Sequence, residues 1–292
     1  MVNVTRLNIL TLLKGNHSAV TGDALGTATG ISKVAVWKHI QALRSSGYSI
    51  ETSHSGYKFI NEPDIPDEYQ VFHTDTAVFH YDNVDSTMDL AAELHGEKPY
   101  TLVTTNIQNK GRARNGASWI SPEGGLYATL ALSPPVHAKH CTAYGFLSAV
   151  AIMHAVYFLY NLHLSYTWPC DLKYKGKKIG GILTEIRGEL EYPSVCLIGL
   201  GMYIHETNES HIALEKDFPG SLSRSNIINA YLSEFIRMAN SEPILEISQF
   251  IDDNEEALSQ GEIFLPSGGG QPDAVTKLGD LTFQMLFKDI TI

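Results

Sequence analysis

The tripeptide Gly30-Ile31-Ser32 separates two apolar patterns of helical period, and it restricts the first sixty residues more tightly than any other feature of the chain. Ahead of it, Leu7, Ile9, Leu10, Leu12 and Leu13 predict one helix, and residues 23–29 predict a second. Behind it, Ser32 can cap a third helix that runs to Arg44, on which Val36, Ile40 and Leu43 recur at helical spacing and turn inward. Two helices joined by so short a glycine-containing turn make a helix-turn-helix, with Ile31 packing beneath the third helix. After Gly47, residues 48–52 and 56–60 read as two strands joined at Ser53-His54-Ser55, a hairpin of the kind called a wing. Ser32, Lys33, Val34, Trp37, Lys38 and Gln41 then form an outward face suited to phosphate and base contacts. A three-helix packing module without DNA is the alternative.

Charge follows the same division. The chain carries a net −11, yet residues 1–62 hold six cations (Arg6, Lys14, Lys33, Lys38, Arg44, Lys58) against three acids (Asp23, Glu51, Glu62), which puts +3 on that segment and −14 on the remainder. This excludes a chain coated in basic surface and suits a small DNA-binding module on an acidic body, although a solvated basic face gives the same count. At 292 residues the chain is long enough for two or three cores. Its longest apolar stretch, residues 146–160, is interrupted by Ser148 and His154 and is short for a bilayer, so it reads as a buried helix. Three widely spaced cysteines (Cys141, Cys170, Cys196) argue against a disulfide framework or a zinc site. With no basic, apolar leader, these features predict a cytoplasmic protein that engages no membrane.

Beyond residues 61–67, whose prolines and acids read as a linker, strands and helices mix without regular alternation. Residues 102–105, 125–132, 181–186 and 194–204 read as strands and 143–162 as a helix, which favours an α+β domain over a doubly wound sheet. Near the end, Pro266-Ser267-Gly268-Gly269-Gly270 reads as a turn and residues 281–287 alternate like a strand. The chain therefore divides into a winged helix (1–62), a mixed α/β domain (68–240) and a small, reduced C-terminal β module (241–292).

Three segments carry polar chemistry. From Gln108 to Trp119, small residues alternate with Lys110, Arg112 and Arg114; glycine lets backbone approach a ligand, and forked guanidinium donors suit carboxylate and phosphate. Such a loop is also common as plain surface. Next, Trp168-Pro169-Cys170-Asp171-Leu172 precedes Lys178-Ile179-Gly180-Gly181-Ile182-Leu183, which places Lys178 at a strand start where its ammonium can reach a ligand from a rigid element. The plain reading there is a hairpin with a solvated Lys175-Gly176-Lys177 tip. Lastly, Asp85-Ser86-Thr87 can cap a helix that begins near Met88.

In order and spacing, Asp85-Ser86-Thr87, the Gly111-Arg112-Ala113-Arg114 loop, the Trp168–Leu172 and Lys178–Leu183 motifs and Gly199-Leu200-Gly201, together with residues 34–44, closely resemble the bifunctional biotin protein ligase and biotin operon repressor family. The resemblance weakens after about Asn208. It implies a cytoplasmic, homodimeric, biotin-responsive repressor that activates biotin with ATP, accompanied by Mg2+, and passes it to a lysine on the biotin carrier domain of a carboxylase, while also binding operator DNA. By position it assigns Ser86, Thr87, Gln108, Arg112, Arg114 and Lys178 to biotin, with the two arginines on a disordered loop that folds over biotinyl-adenylate. It assigns Gly111, Ala113, Trp119, Asp171, Gly199, Gly201 and Tyr203 to the loop and adenylate side. Attack between two anions needs fixed positive charge, which Arg112 and Lys178 would supply. The chain departs from the pattern at Met88, Ala113, Thr167, Cys170 and Tyr203, and Tyr203 must either stack beside the adenine or block it. These departures support the alternative of a ligase-inactive, biotin-sensing DNA-binding repressor. A ligase for lipoate or another acid is a third reading.

Overall fold

A computed structural model describes residues 2–191, 193–205, 213–218, 221–241, 244–260 and 263–264. The N-terminal unit contains helices α1 (Val4–Lys14), α2 (Gly22–Thr29) and α3 (Lys33–Ser45), then strands β1 (Ser49–Ser53) and β2 (Gly56–Asn61), which pair antiparallel. Each helix starts where a side chain takes up a free backbone N–H: Asn3 accepts from Arg6, Thr21 from Ala24 and Ser32 from Ala35. Gly30 ends α2 in the left-handed region at φ +71°, so α3 starts at a sharp angle. Ile9, Leu10, Leu13, Leu25, Val36, Ile40 and Leu43 meet in one core with Tyr48 and Ile50 of the hairpin. The helix-turn-helix and its wing are thus present as expected, and the wing turn tightens to His54-Ser55 because Ser53 is still paired.

The main body is an eight-stranded sheet in the order β10-β6-β7-β8-β9-β5-β4-β3. Its members are β3 (Thr76–Val84), β4 (Tyr100–Gln108), β5 (Gly125–Leu132), β6 (Leu164–Thr167), β7 (Asp171–Tyr174), β8 (Lys177–Gly188), β9 (Pro193–Tyr203) and β10 (Ile263–Phe264). β3 and β4 run parallel across the short crossover helix α4 (Thr87–Leu94), and the other neighbours are antiparallel. Alternation sorts the strands' side chains between two faces. Leu102, Leu130 and Ile198 pack beneath α5 (Thr142–Tyr160) and α6 (Arg224–Ser241), whereas Val103, Ala131 and Leu197 pack with Met88 and Ala91 of α4. Helix α5 is the long apolar stretch. Its segment is long and apolar enough to cross a membrane, but most of it is buried between the sheet and α6. It ends two residues earlier than expected, where Asn161 turns left-handed at φ +55°.

Two expectations need correction. Residues 244–260 form a helix, α7 (Ile244–Gln260), and not part of a β module; Ile244, Ile247, Ile251 and Leu258 recur every three to seven residues and complete the core under α5. The turn and strand expected at 266–270 and 281–287 lie outside the described residues. The segment read as a linker is instead docked along its length, because its acids are anchors. Asp67 accepts from the Tyr48 hydroxyl at 2.9 Å and from the backbone N–H groups of Tyr69 and Gln70, and burial pushes its carboxyl up to about 6. Asp64 accepts from Arg224 N (2.7 Å) and Nε (3.0 Å) and is joined to His205 Nε2 at 2.8 Å. Burial opposes the charge on Asp64, yet the hydrogen bonds from His205 and Arg224 hold it below the usual carboxylate range. The Arg224 side chain is 9% exposed and also donates to the Gly125 carbonyl at 3.0 Å and Asn106 Oδ1 at 3.3 Å.

Removing one partner of a buried ion pair costs about 3–5 kcal/mol, and less where the other partner reaches solvent. Since Asp64 is one-third exposed, Arg224→Ala is expected to cost about 2–3 kcal/mol. Urea unfolding of the variant against the parent protein checks this, and an unchanged midpoint would remove Arg224 from its anchoring role.

Candidate active site

The α4 face of the sheet is bare where β8 meets β9. Gly181 pairs with Gly201 and Leu183 with Gly199, so three glycines leave a shallow floor of exposed backbone. The Trp119 indole lies on that floor. A Cβ on Gly201 would stand 2.6 Å from its Nε1, and one on Gly181 would stand 3.8 Å from its ring. Met88 closes the third position, with its sulfur 3.1 Å from where a Gly199 Cβ would be. The indole stacks on Tyr203 with ring centroids 5.5 Å apart at 8°, and the Tyr203 hydroxyl donates to the Ile120 carbonyl at 3.0 Å. Lys178 sits over the indole at 5.6 Å and pairs with Asp171 at 2.7 Å. Among the described residues, Trp119 Nε1 has no hydrogen-bond partner.

One turn into α4 the site becomes strongly charged. Arg112 donates Nη1 and Nη2 to Asp89 at 2.7 and 3.1 Å, and Nε and Nη2 to Glu185 at 3.1 Å each. Arg187 adds a second cation to Asp89 at 2.5 Å. The Arg112 hydrogen bond is the main cause that holds the Asp89 carboxyl below its ordinary range, and the Asp89 bond is the main cause that raises the guanidinium. Glu185 and Arg187 share a face of β8 with Gly181 and Leu183, which is why residues 73 apart in sequence can meet.

The opposite wall is polar but uncharged. Ser86 caps α4, Thr87 N and Oγ1 both donate to Gln108 Oε1 at 3.0 Å, Thr129 donates to Thr87 at 2.8 Å, and Gln108 Nε2 donates to Ser121 at 3.1 Å. Between the walls the cavity measures about 50 Å³.

Of the residues singled out from the sequence, Ser86, Thr87, Gln108, Arg112, Ala113, Arg114, Trp119, Asp171, Lys178, Gly199 and Gly201 all line this one cavity. Gly111 and Tyr203 do not. Gly111 borders a second, open cavity of about 330 Å³, and Tyr203 is held behind Trp119. Backbone hydrogen bonds draw the arginine loop together: Trp119 N donates to Gly111 O at 2.8 Å, Ala113 N to Ala117 O at 2.7 Å, and a 3-10 turn spans Arg114–Gly116. Sequence reasoning missed Asp89 and Glu185 as partners of the loop arginine, Arg187 as a second cation on Asp89, and Ser121 and Thr129 as members of the polar wall. Cys170 takes its place in the lining, where burial and its hydrogen bond to Asp171 push its thiol up. On α3, Ser32, Lys33, Val34, Trp37 and Lys38 are exposed, whereas Gln41 is half-buried.

Because the glycine floor admits the indole only for want of a Cβ, Gly201→Ala is expected to lift Trp119 off the sheet. The cost should be about 1–3 kcal/mol, as for other overpacked cores, with loss of the near-ultraviolet circular dichroism of the Trp119–Tyr203 pair; Trp119→Phe serves as the spectral reference. An unchanged spectrum would mean that the floor tolerates a side chain.

Residues 81–202 match the family model described as Biotin/lipoate A/B protein ligase family, and residues 5–58 match a model described as HTH domain. The chain is 31% identical over 217 residues to the bifunctional ligase/repressor BirA of Bacillus spizizenii, covering 71% of this chain and 67% of the relative. It is 31% identical over 222 residues to the protein of that name from Bacillus subtilis, with coverage of 73% and 68%. The solved structure of Leishmania major biotin protein ligase in complex with biotin superposes with a TM-score of 0.51 at 22% identity, over 69% of this chain and 88% of that one, a likeness of fold. The glycine-floored cavity, the loop cations above it and the helix-turn-helix ahead of it thus occur in a chain that belongs to the bifunctional ligase/repressor branch of the biotin/lipoate A/B protein ligase family.

Proposed function

We propose that this chain is a biotin-responsive transcriptional repressor that also activates biotin with ATP to biotinyl-adenylate and transfers it to a lysine of a biotin carrier domain. The observation that carries the reading is one cavity in which a neutral polar wall (Ser86, Thr87, Gln108) faces two cations (Arg112, Lys178) across a backbone floor. The neutral wall orients biotin through its hydroxyl and amide groups. Arg112 and Lys178 offset the repulsion between biotin's carboxylate and the α-phosphate and keep hold of the conjugate afterwards. Both cations already face carboxylates, Asp89 and Glu185 in one case and Asp171 in the other. An incoming phosphate therefore exchanges with a resident anion, and Arg112 is not left unpaired when product leaves. Homodimerisation belongs to the same reading, since repressors of this type read paired half-sites.

A second reading, a sensor that binds biotin without transferring it, draws on the Trp119–Tyr203 stack and on Cys170 and Thr167, where the family carries an amide and a cation. Incubation with biotin, labelled ATP and a carrier domain separates the two. Labelled adenylate followed by biotinylated carrier supports the ligase, adenylate alone or bound biotin alone supports the sensor, and neither overturns both.

Arg112→Ala and Lys178→Ala are expected to weaken a non-hydrolysable biotinyl-adenylate analogue by about ten- to a hundredfold, the equivalent of about 1.5–3 kcal/mol for a charge-assisted hydrogen bond, and to affect free biotin much less. Calorimetric titration checks this, and equal losses for both ligands would place the cations away from the phosphate. Deletion of residues 1–62 is expected to abolish DNA binding while leaving analogue binding intact. Sedimentation with and without biotin and ATP tests the dimer, and a monomer under every condition would overturn it.

A further inference from the structure

The outward face of α3 is unusual for a surface that must meet a polyanion, because two of its most prominent groups are apolar. Val34 is 65% exposed and Trp37 51%, and they stand three positions apart, hence side by side on one face of the helix. The one polar atom of the indole is already engaged. With the Gln41 amide oxygen turned toward its two neighbouring donors, it accepts from Trp37 Nε1 at 3.2 Å and from Arg44 Nη1 at 3.1 Å. Arg44 in turn donates Nε to the Ile50 carbonyl at 2.9 Å and Nη2 to Thr52 Oγ1 at 2.7 Å on β1. A run of hydrogen bonds from the indole through Gln41 and Arg44 to the wing thus turns the Trp37 N–H inward and leaves ring carbons facing out. The neighbouring Lys33 ammonium is held by Asp23 at 2.8 Å.

A recognition helix reads bases through donors, acceptors or apolar contact, and Val34 and Trp37 offer only the last. In the major groove the one apolar group among the base edges is the C5 methyl of thymine. We propose that Val34 and Trp37 read thymine by its methyl group, so that one or two positions in each half-site are specified by apolar contact and not by hydrogen bonds. The proposal rests on the DNA-binding reading of this module. The tie to the wing fixes the indole before DNA arrives, which spares the ordering cost of a large side chain.

The test begins without a defined operator. Selection from random duplex DNA with the full-length protein, in the presence of biotin and ATP, yields a site, and each dT in it is then replaced singly by dU, which removes only the methyl. One or two positions per half-site should each lose about fourfold in affinity, the transfer value of about 0.8 kcal/mol for one such group. At those positions Trp37→Ala or Val34→Ala should show no further loss on dU replacement. Trp37→Phe, which keeps the apolar face and drops the N–H, should retain the methyl dependence. A selected site that binds equally well with dU at every position overturns the proposal and leaves the DNA-binding reading standing. So does a Trp37→Phe protein that binds the dT and dU sites equally well at those positions, since an apolar ring there would then not carry the methyl dependence. If no sequence is enriched and no duplex is bound, the DNA-binding reading itself fails and takes the proposal with it.

Discussion

The nearly buried guanidinium of Arg224 holds the parts of this molecule in register. From the first turn of α6 it reaches the connector at Asp64, the end of β4 at Asn106 and the first residue of β5 at Gly125. Asp64 also binds His205, just beyond β9, and His205 binds Glu215 at 2.8 Å on its other nitrogen. These are the strands whose far face carries the cavity, so the charge cluster fixes both the path of the chain out of the winged helix and the end of the sheet on which the site is built. Burial alone would disfavour such charges. Here each one faces an opposite charge or a carbonyl, which is the condition under which a buried ion pair holds structure instead of weakening it.

Asp67 extends that hold to the other side. The Tyr48 hydroxyl belongs to the core of the winged helix, and its bond to Asp67 joins that core to the connector, two residues before Tyr69 packs against it. The connector is therefore a strap with a foot in each unit.

Within the cavity the same logic of pairing operates at lower burial. Arg112 is shared between Asp89 and Glu185, Lys178 is held by Asp171 and lies over an aromatic ring, and the polar wall satisfies itself through Thr87, Gln108, Ser121 and Thr129. Trp119 Nε1 is the exception, a buried donor without a partner among the described residues, on a floor that has no side chains. Arg112 and Lys178 are thus paired within the site, and Arg114 adds a further cation to its lining.

Local physics makes much of this legible from residue order alone. The caps at Ser32 and Ser86, the left-handed Gly30 and the inward spacing of Val36, Ile40 and Leu43 depend on neighbours within a few positions, so the sequence determined the winged helix and most strands, whereas the residues that line the cavity were named from the resemblance of their motifs to a family. The connector reads wrongly as a free linker because proline and acid content describes how a segment behaves in water, and whether an aspartate finds an arginine 160 residues away is not written locally. Helix α7 escapes for a related reason: its apolar residues become a core face only once α5 is there to receive them. The partners of Arg112 are invisible in the sequence because Asp89 and Glu185 come from elements that meet only when β8 and α4 share one face of the sheet. Sequence thus determined the elements and the chemical inventory, while the pairing of charges, the seat of Trp119 on bare backbone and the docking of the connector were decided by tertiary structure, since each depends on a distance between residues far apart in the chain.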